Sequence, residues 1–263
     1  MKTNYHTHTS LCKHAQGEVC DYVEQAVIKK MDVLGMSDHA PFPDNAFTHR
    51  MDFEMLNFYF NEIDEAKKLF SDVIDIKKGL EIEYIKRYDD IGYYKELYDK
   101  YKVDYLILGQ HCFESLRGDI KNIYSLDKPE LVIDYALSVR DAMETGYFQI
   151  VAHPDIFAFN MFKWDRYFDE ASRIIIEAAC DNNVVLEFNC GQFRSGSVEY
   201  PDGIRLPYPH YKFWEMVSKT NAKVIIGSDA HKPKDLYDEH VLNAKFILAD
   251  LGIHPIETIW VKK

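Results

Sequence analysis

The sequence predicts an α/β protein of seven strand–helix units, a closed or nearly closed (β/α) barrel. Three observations carry that prediction. Seven short apolar runs alternate with longer stretches of helical periodicity. Several of the runs are β-branched and too short for helices, so buried parallel strands fit them. Each run also ends in, or beside, a histidine, a carboxylate or an asparagine, and barrels place their chemistry at the C-terminal ends of the strands. A doubly wound open sheet is the alternative.

The strands are expected at residues 3–5, 33–36, 76–82, 105–108, 148–152, 184–188 and 224–226. Helices are expected at 19–31, 56–70, 93–101, 130–144, 169–182, 211–220 and 233–251. The first has apolar residues at Val19, Tyr22, Val23, Ala26 and Val27, the spacing of one helical face. Asp127-Lys128-Pro129-Glu130 reads as a cap followed by proline in the first turn. The aromatic stretch 157–164 fits a buried face or a lid.

With 263 residues and no linker rich in Gly, Pro or Ser, one domain over 1–263 is expected. No run approaches the roughly 18 apolar residues of a membrane span, and no apolar segment of a signal peptide follows Lys2. A cytoplasmic protein is therefore expected. The five scattered cysteines have no CxxC pair and read as reduced thiols, with Cys112 and Cys190 as small core residues. A net charge of −12 opposes binding along a nucleic-acid backbone. It does not oppose a small anion, because bound cations would dominate the local field.

The chemistry is concentrated in histidines and carboxylates. His6-Thr7-His8 puts two imidazoles on one side of an extended strand, and Asp229-Ala230-His231 repeats the spacing with a carboxylate. Either pair can grip one cation, and such ligands suit zinc, manganese and iron. Asp38-His39, Glu81, His111 and His153 follow other apolar runs. Together they read as a multinuclear metal site and so as a hydrolase. His240 and His254 read as surface residues, while His49 and His210 are candidates for substrate contact.

The order of these motifs resembles the PHP (polymerase and histidinol phosphatase) superfamily, over nearly the whole chain. Ser37-Asp38-His39-Ala40-Pro41-Phe42, Gly79-Leu80-Glu81-Ile82-Glu83-Tyr84, Gly109-Gln110-His111-Cys112-Phe113, Ala152-His153-Pro154-Asp155 and Glu187-Phe188-Asn189-Cys190-Gly191 most resemble its HisK-type histidinol-phosphate phosphatases. Gln110, where that group often has serine, and Cys190-Gly191-Gln192 depart from the pattern.

The resemblance implies a distorted seven-stranded TIM-like barrel with three divalent metal ions (Mn, Zn or Fe). It implies that His6, His8, Glu81 and Asp229 hold the first ion. Glu81 bridges to a second completed by His111 and His153, and His14, His39 and His231 hold the third. Glu81 is preferred to Glu83 because it directly follows Gly-Leu. Asp38 and Asp155 are expected to orient imidazoles, or to protonate the departing alcohol.

The implied reaction is hydrolysis of L-histidinol phosphate to L-histidinol and phosphate, in histidine biosynthesis, by a hydroxide bridging two metals. Glu81, Asp229, His231 and Asp38 are the expected catalytic residues. Arg194 is the expected phosphate clamp, since guanidinium matches phosphate in a fork, with Lys163 second. Phe42, Gln192 and Glu199 are expected at the histidinol moiety. Another small phosphomonoester, such as a nucleotide or phosphotyrosine, remains open as substrate. A nucleic-acid 3′-end processing enzyme, a noncatalytic metal-binding regulator and an amidohydrolase fit the residues less well.

Overall fold

A computed structural model describes residues 1–261. Its strands are β1 (Thr3–Asn4), β2 (Val33–Met36), β3 (Asp75–Ile82), β4 (Tyr105–Leu108), β5 (Cys112–Glu114), β6 (Ile120–Asn122), β7 (Ile150–Val151), β8 (Val185–Asn189), β9 (Val198–Tyr200), β10 (Gly203–Arg205) and β11 (Val224–Gly227). Its helices are α1 (Val19–Ile28), α2 (Leu56–Leu69), α3 (Lys86–Asp90), α4 (Tyr93–Asp99), α5 (Leu131–Glu144), α6 (Arg166–Asn182), α7 (Tyr211–Val217) and α8 (Glu239–Asp250).

Seven strands form one parallel sheet in the order β1-β2-β3-β4-β7-β8-β11. The order never reverses, which removes the doubly wound alternative. The sheet then curls until its edges meet. Thr7 pairs in parallel with Ala230, the His8 amide donates to the Ala230 carbonyl at 2.9 Å, and the Ala230 amide to the His6 carbonyl at 3.3 Å. The fold is thus the nearly closed, distorted barrel that was expected. Its seam also sets the His6–His8 pair directly beside the Asp229–His231 pair.

Alternation along the strands explains both the core and the site. One parity points outward under the helices: Leu34, Met36, Leu80, Ile82, Leu106, Leu108, Leu186 and Phe188 join the large helix-packed core. The other points into the barrel, where Tyr5, Val33, Tyr105, Ile107, Ile150, Val185 and Ile225 form a separate apolar plug. Continuing the inward parity toward the C-terminal ends brings in Glu81 and Glu187, each 1% exposed.

Two short hairpins, β5–β6 and β9–β10, were not foreseen, nor was α3. Asp165 caps α6 through the Tyr167 and Phe168 amides, so that helix starts three residues earlier than its periodicity suggests. The 127–130 cap does not form: α5 starts at Leu131 after Glu130, without a side-chain cap. The expected helix 233–251 divides into a 3-10 turn, Pro233–Asp235, and α8, capped by Asp238. Among the described residues no helix is long and apolar enough to cross a membrane.

Candidate metal centre

The strand ends gather the predicted histidines and carboxylates around Glu81. Its Oε2 lies 3.3 Å from His6 Nε2, 3.5 Å from His8 Nε2 and 3.0 Å from His39 Nδ1. Its Oε1 lies 3.1 Å from His153 Nε2 and 3.7 Å from His111 Nε2. One carboxylate thus faces two separate sets of imidazoles. Asp229 Oδ1 closes the first set, 3.7 Å from His6 Nε2 and 3.2 Å from His8 Nε2.

Nitrogen and oxygen ligands of a tetrahedral cation at ~2.1 Å stand about 3.4 Å apart. Four ligand–ligand separations around His6, His8, Glu81 and Asp229 fall between 3.2 and 3.7 Å. The four atoms concerned, His6 Nε2, His8 Nε2, Glu81 Oε2 and Asp229 Oδ1, are buried and have no hydrogen-bond partner. Buried polar groups are rarely left so. These residues fit a divalent cation in both spacing and donor chemistry.

A further group lies beside them. The ring centroids of His14 and His39 are 5.1 Å apart, those of His14 and His231 4.9 Å, and His8 stacks on both His39 (4.2 Å) and His231 (4.3 Å). His8, His39 and His231 present ligand atoms within 4.8 Å of one another, as do His39, Glu81 and His111. His39 therefore stands between two sets.

Carboxylates behind the rings set their orientation. Glu187 Oε1 lies 2.8 Å from His6 Nδ1, and Asp38 Oδ1 lies 3.4 Å from His8 Nδ1. Glu83 Oε1 lies 3.3 Å from His111 Nδ1. A proton held on each Nδ1 leaves the Nε2 lone pair directed at the centre. Burial would raise the Glu81 carboxyl, but the His6, His39 and His111 rings hold it well below the usual range. Asp229 is held low in the same way against its burial, chiefly by the His6 ring and by the His231 and His8 rings beside it. Burial pushes the His39 imidazole down to about 3 and so keeps it a neutral ligand type.

The backbone is adapted to this crowding. His153 and Asp229 have φ of 32° and 47°, conformations that cost non-glycine residues of the order of 1–3 kcal/mol and cluster at functional sites. Gly109 and Gly227 leave room for carboxylates. A Cβ on Gly109 would lie 2.2 Å from Glu81 Oε1, and one on Gly227 1.7 Å from Glu187 Oε1.

A cavity of about 870 Å³ opens over the centre, lined by His39, Glu81, His111, His153, Asp229 and His231, with Tyr124, Tyr208 and Gln192 in its walls. Gln192 Nε2 lies 3.4 Å from the Tyr208 hydroxyl. Arg194 also reaches this wall, but its donors are engaged: Nε with Asp238 Oδ2 (2.9 Å), Nη1 with the Ser228 and Cys190 carbonyls (2.7 and 3.4 Å), and Nη2 with the Asp235 carbonyl (3.0 Å). At most one N–H is left for an anion, so it braces the loop more than it clamps phosphate.

Other expectations are corrected. Phe42 is fully buried, stacked on Tyr88 at 4.1 Å, and its ring belongs to the core. Lys163 and Glu199 are exposed and line no part of this cavity. His210 caps α7 and stacks on Trp164 at 4.3 Å, whereas His49 stays beside the centre, its ring 5.7 Å from that of His14 in an adjoining cavity shared with His39 and His111. His240 lies in the wall rather than on the open surface. Phe157 is buried against Trp164 and Phe168, as a core face and not a lid. Cys190 is buried as expected, but Cys112 is only half-buried.

Asp38 is committed on both oxygens, to the Thr9 amide and hydroxyl, the His39 amide and His8. Asp155 accepts through Oδ2 from the His210 amide and Trp214 Nε1, and faces none of the imidazoles in hydrogen-bond contact. Glu187 was not singled out as a site residue. Its signals were a carboxylate amid Val-Val-Leu-Glu-Phe, on the inward parity of a buried strand, and its place at the head of the Glu187–Gly191 stretch that carries the resemblance.

Comparison with known proteins agrees with this geometry. The chain is 26% identical over 277 residues to a Schizosaccharomyces pombe protein named "Probable histidinol-phosphatase", covering 96% of this chain and 88% of that one. It is 25% identical over 268 residues to the histidinol-phosphatase of Bacillus subtilis, covering 90% and 96%. The fold superposes on the histidinol phosphate phosphatase HisK of Lactococcus lactis, complexed with zinc, L-histidinol and phosphate, with a TM-score of 0.74 at 19% identity over 100% and 99% of the two chains. The PHP domain model matches residues 4–191, well over half of the sequence, and the chain belongs to the PHP domain family.

Proposed function

We propose that the chain, as a single domain over 1–263, is a divalent-metal-dependent phosphomonoesterase that cleaves L-histidinol phosphate to L-histidinol and phosphate. The observation that carries this reading is the set of four buried, unpartnered ligand atoms spaced for one cation beneath an open cavity. The substrate follows from the histidinol-phosphatase relatives, which the chain matches along nearly its whole length. A cytoplasmic location suits such a biosynthetic role.

In this reading His6, His8, Glu81 and Asp229 hold one cation. Glu81 would also contribute, with His111 and His153, to a second, and His14, His39 and His231 would hold a third, with manganese, zinc or iron as the candidates. When bound there, divalent cations would neutralise phosphate oxygens and lower the pKa of a water toward ~7. The protein's part is arrangement. Glu187, Asp38 and Glu83 fix the tautomers of His6, His8 and His111. Glu81 holds the two halves of the centre together through its separate oxygens. Asp38, with both oxygens taken, works by orienting His8 and not by protonating the alcohol. Tyr124, Tyr208 and Gln192 are placed to bound the organic moiety, and Arg194 holds the wall in which Gln192 sits.

The test is phosphate release by manganese-reconstituted protein from L-histidinol phosphate, p-nitrophenyl phosphate and a nucleoside 3′-phosphate. A kcat/KM for histidinol phosphate within ~10⁴–10⁸ M⁻¹s⁻¹, far above the other two, is expected. Equal, slow turnover of all three would overturn the substrate and leave the phosphomonoesterase.

A further inference from the structure

The three carboxylates behind the imidazoles are not held alike. Glu187 is fixed from within the barrel, by Asn189 Nδ2 (2.8 Å) and the His153 amide (3.2 Å). Asp38 is fixed by Thr9 and the His39 amide. Glu83 is instead gripped in a fork by Arg50, whose Nη1 and Nη2 donate to its two oxygens at 2.9 and 2.8 Å. The pair is buried, at 6% and 1% exposure. Arg50 also donates to the Ala40 carbonyl at 2.9 Å and lies 5.4 Å from the ring centroids of Phe42 and Phe47.

Arg50 is carried by the irregular segment 43–52, in which Asn45, Phe47 and His49 all have positive φ. Side chains of this segment, Phe47, Thr48 and His49, line a cavity of about 450 Å³ together with His111 and Tyr124. The segment therefore meets His111 on two sides, across that cavity and through Arg50 and Glu83.

We propose that Arg50 is a positioning residue which, through Glu83, fixes the ring of His111 and so ties cation retention at the Glu81–His111–His153 group to the conformation of the 43–52 segment. The inference rests on the metal-dependent reading above. Its physics is a relay of orientation. The guanidinium fork fixes both Glu83 oxygens in one plane. Oε1 then holds the Nδ1 proton of His111, and Nε2 is left facing Glu81. Lysine in place of Arg50 keeps the charge but offers a point contact without the fork.

The experiment measures cation affinities of the full-length protein by competition with a chromophoric chelator, for manganese and for zinc. Wild type, Arg50→Lys, Glu83→Gln and the double variant are compared, with circular dichroism as the control for folding. Partners that orient metal-ligating histidines change affinity about 10- to 100-fold when altered. One cation should be held that much more weakly in Arg50→Lys, while the others keep wild-type affinity. The double variant should be no weaker than the weaker single one, because both changes break the same relay. Wild-type affinities in a folded Arg50→Lys protein, or losses that add in the double variant, overturn the proposal. Should Arg50→Lys not fold, the nearly isosteric Glu83→Gln decides in the same way: wild-type affinity sinks it. A wild-type protein that holds no divalent cation sinks the metal-dependent reading itself, which keeps the two failures distinct.

Discussion

Replacing Gly109 with alanine adds one methyl group at the most crowded point of the centre. The new Cβ would lie 2.2 Å from Glu81 Oε1 and 2.5 Å from its Cδ and Cγ. Ordinary contact begins near 3.4 Å, so the carboxylate must retreat by about 1 Å. Glu81 has little room to do so, being 1% exposed and packed against five imidazoles. Cation–ligand distances tolerate about 0.2 Å, so the displaced carboxylate would no longer serve either set. Overpacking by one methyl costs roughly 1–3 kcal/mol, which a chain of this size should survive. Gly109→Ala is therefore expected to fold, to lose cations from the positions proposed for Glu81, and to lose at least ~10²-fold in turnover, the scale of a 1 Å misplacement. Elemental analysis, thermal unfolding and phosphate release read these separately. Full cation content with wild-type turnover would refute the geometry assigned to Glu81.

Two further outcomes follow from groups outside the central cluster. Arg194→Ala should strip hydrogen bonds from Asp238 and the Ser228 and Asp235 carbonyls, costing about 1–3 kcal/mol and a few degrees in Tm. A raised KM with unchanged Tm would restore its role as phosphate clamp. Burial would raise the Glu83 carboxyl, yet Arg50 and His111 bring it down from 4.5 to about 2. A depressed carboxyl stabilises the fold above its unfolded pKa and loses that contribution as pH falls through the folded one. Between pH 4.5 and 2 the wild type should thus lose stability more steeply than Glu83→Gln in urea unfolding, and parallel acid limbs would contradict the pairing.

The barrel was legible because its signals are local. Residues 33–36 and 105–108 are continuous apolar runs with nothing else to become, and β2 and β4 occupy them as read. Most ligand candidates were legible because they lie at the end of such a run or repeat the alternate-residue spacing; His14 does neither and came only from the family resemblance. What was not legible depends on partners distant in sequence. Glu187 orients His6 across 181 residues, and Arg50 reaches Glu83 across 33 from a segment without regular structure. Phe42 and His210 were read as open to substrate from loop position alone, but the chain turns both inward, onto Tyr88 and Trp164. Arg194 illustrates the same limit: its charge suggested an anion, whereas a carboxylate and three carbonyls already surround it.

Chelation and return shows whether the cluster around Glu81 holds divalent cations and whether hydrolysis depends on them. Protein stripped by a strong chelator, with its cation content measured by elemental analysis, is assayed for phosphate release before and after stepwise addition of manganese. The stripped protein should lose activity with its fold intact, and activity should return in step with the cations taken up. Undiminished hydrolysis by protein verified to be free of metal would contradict it.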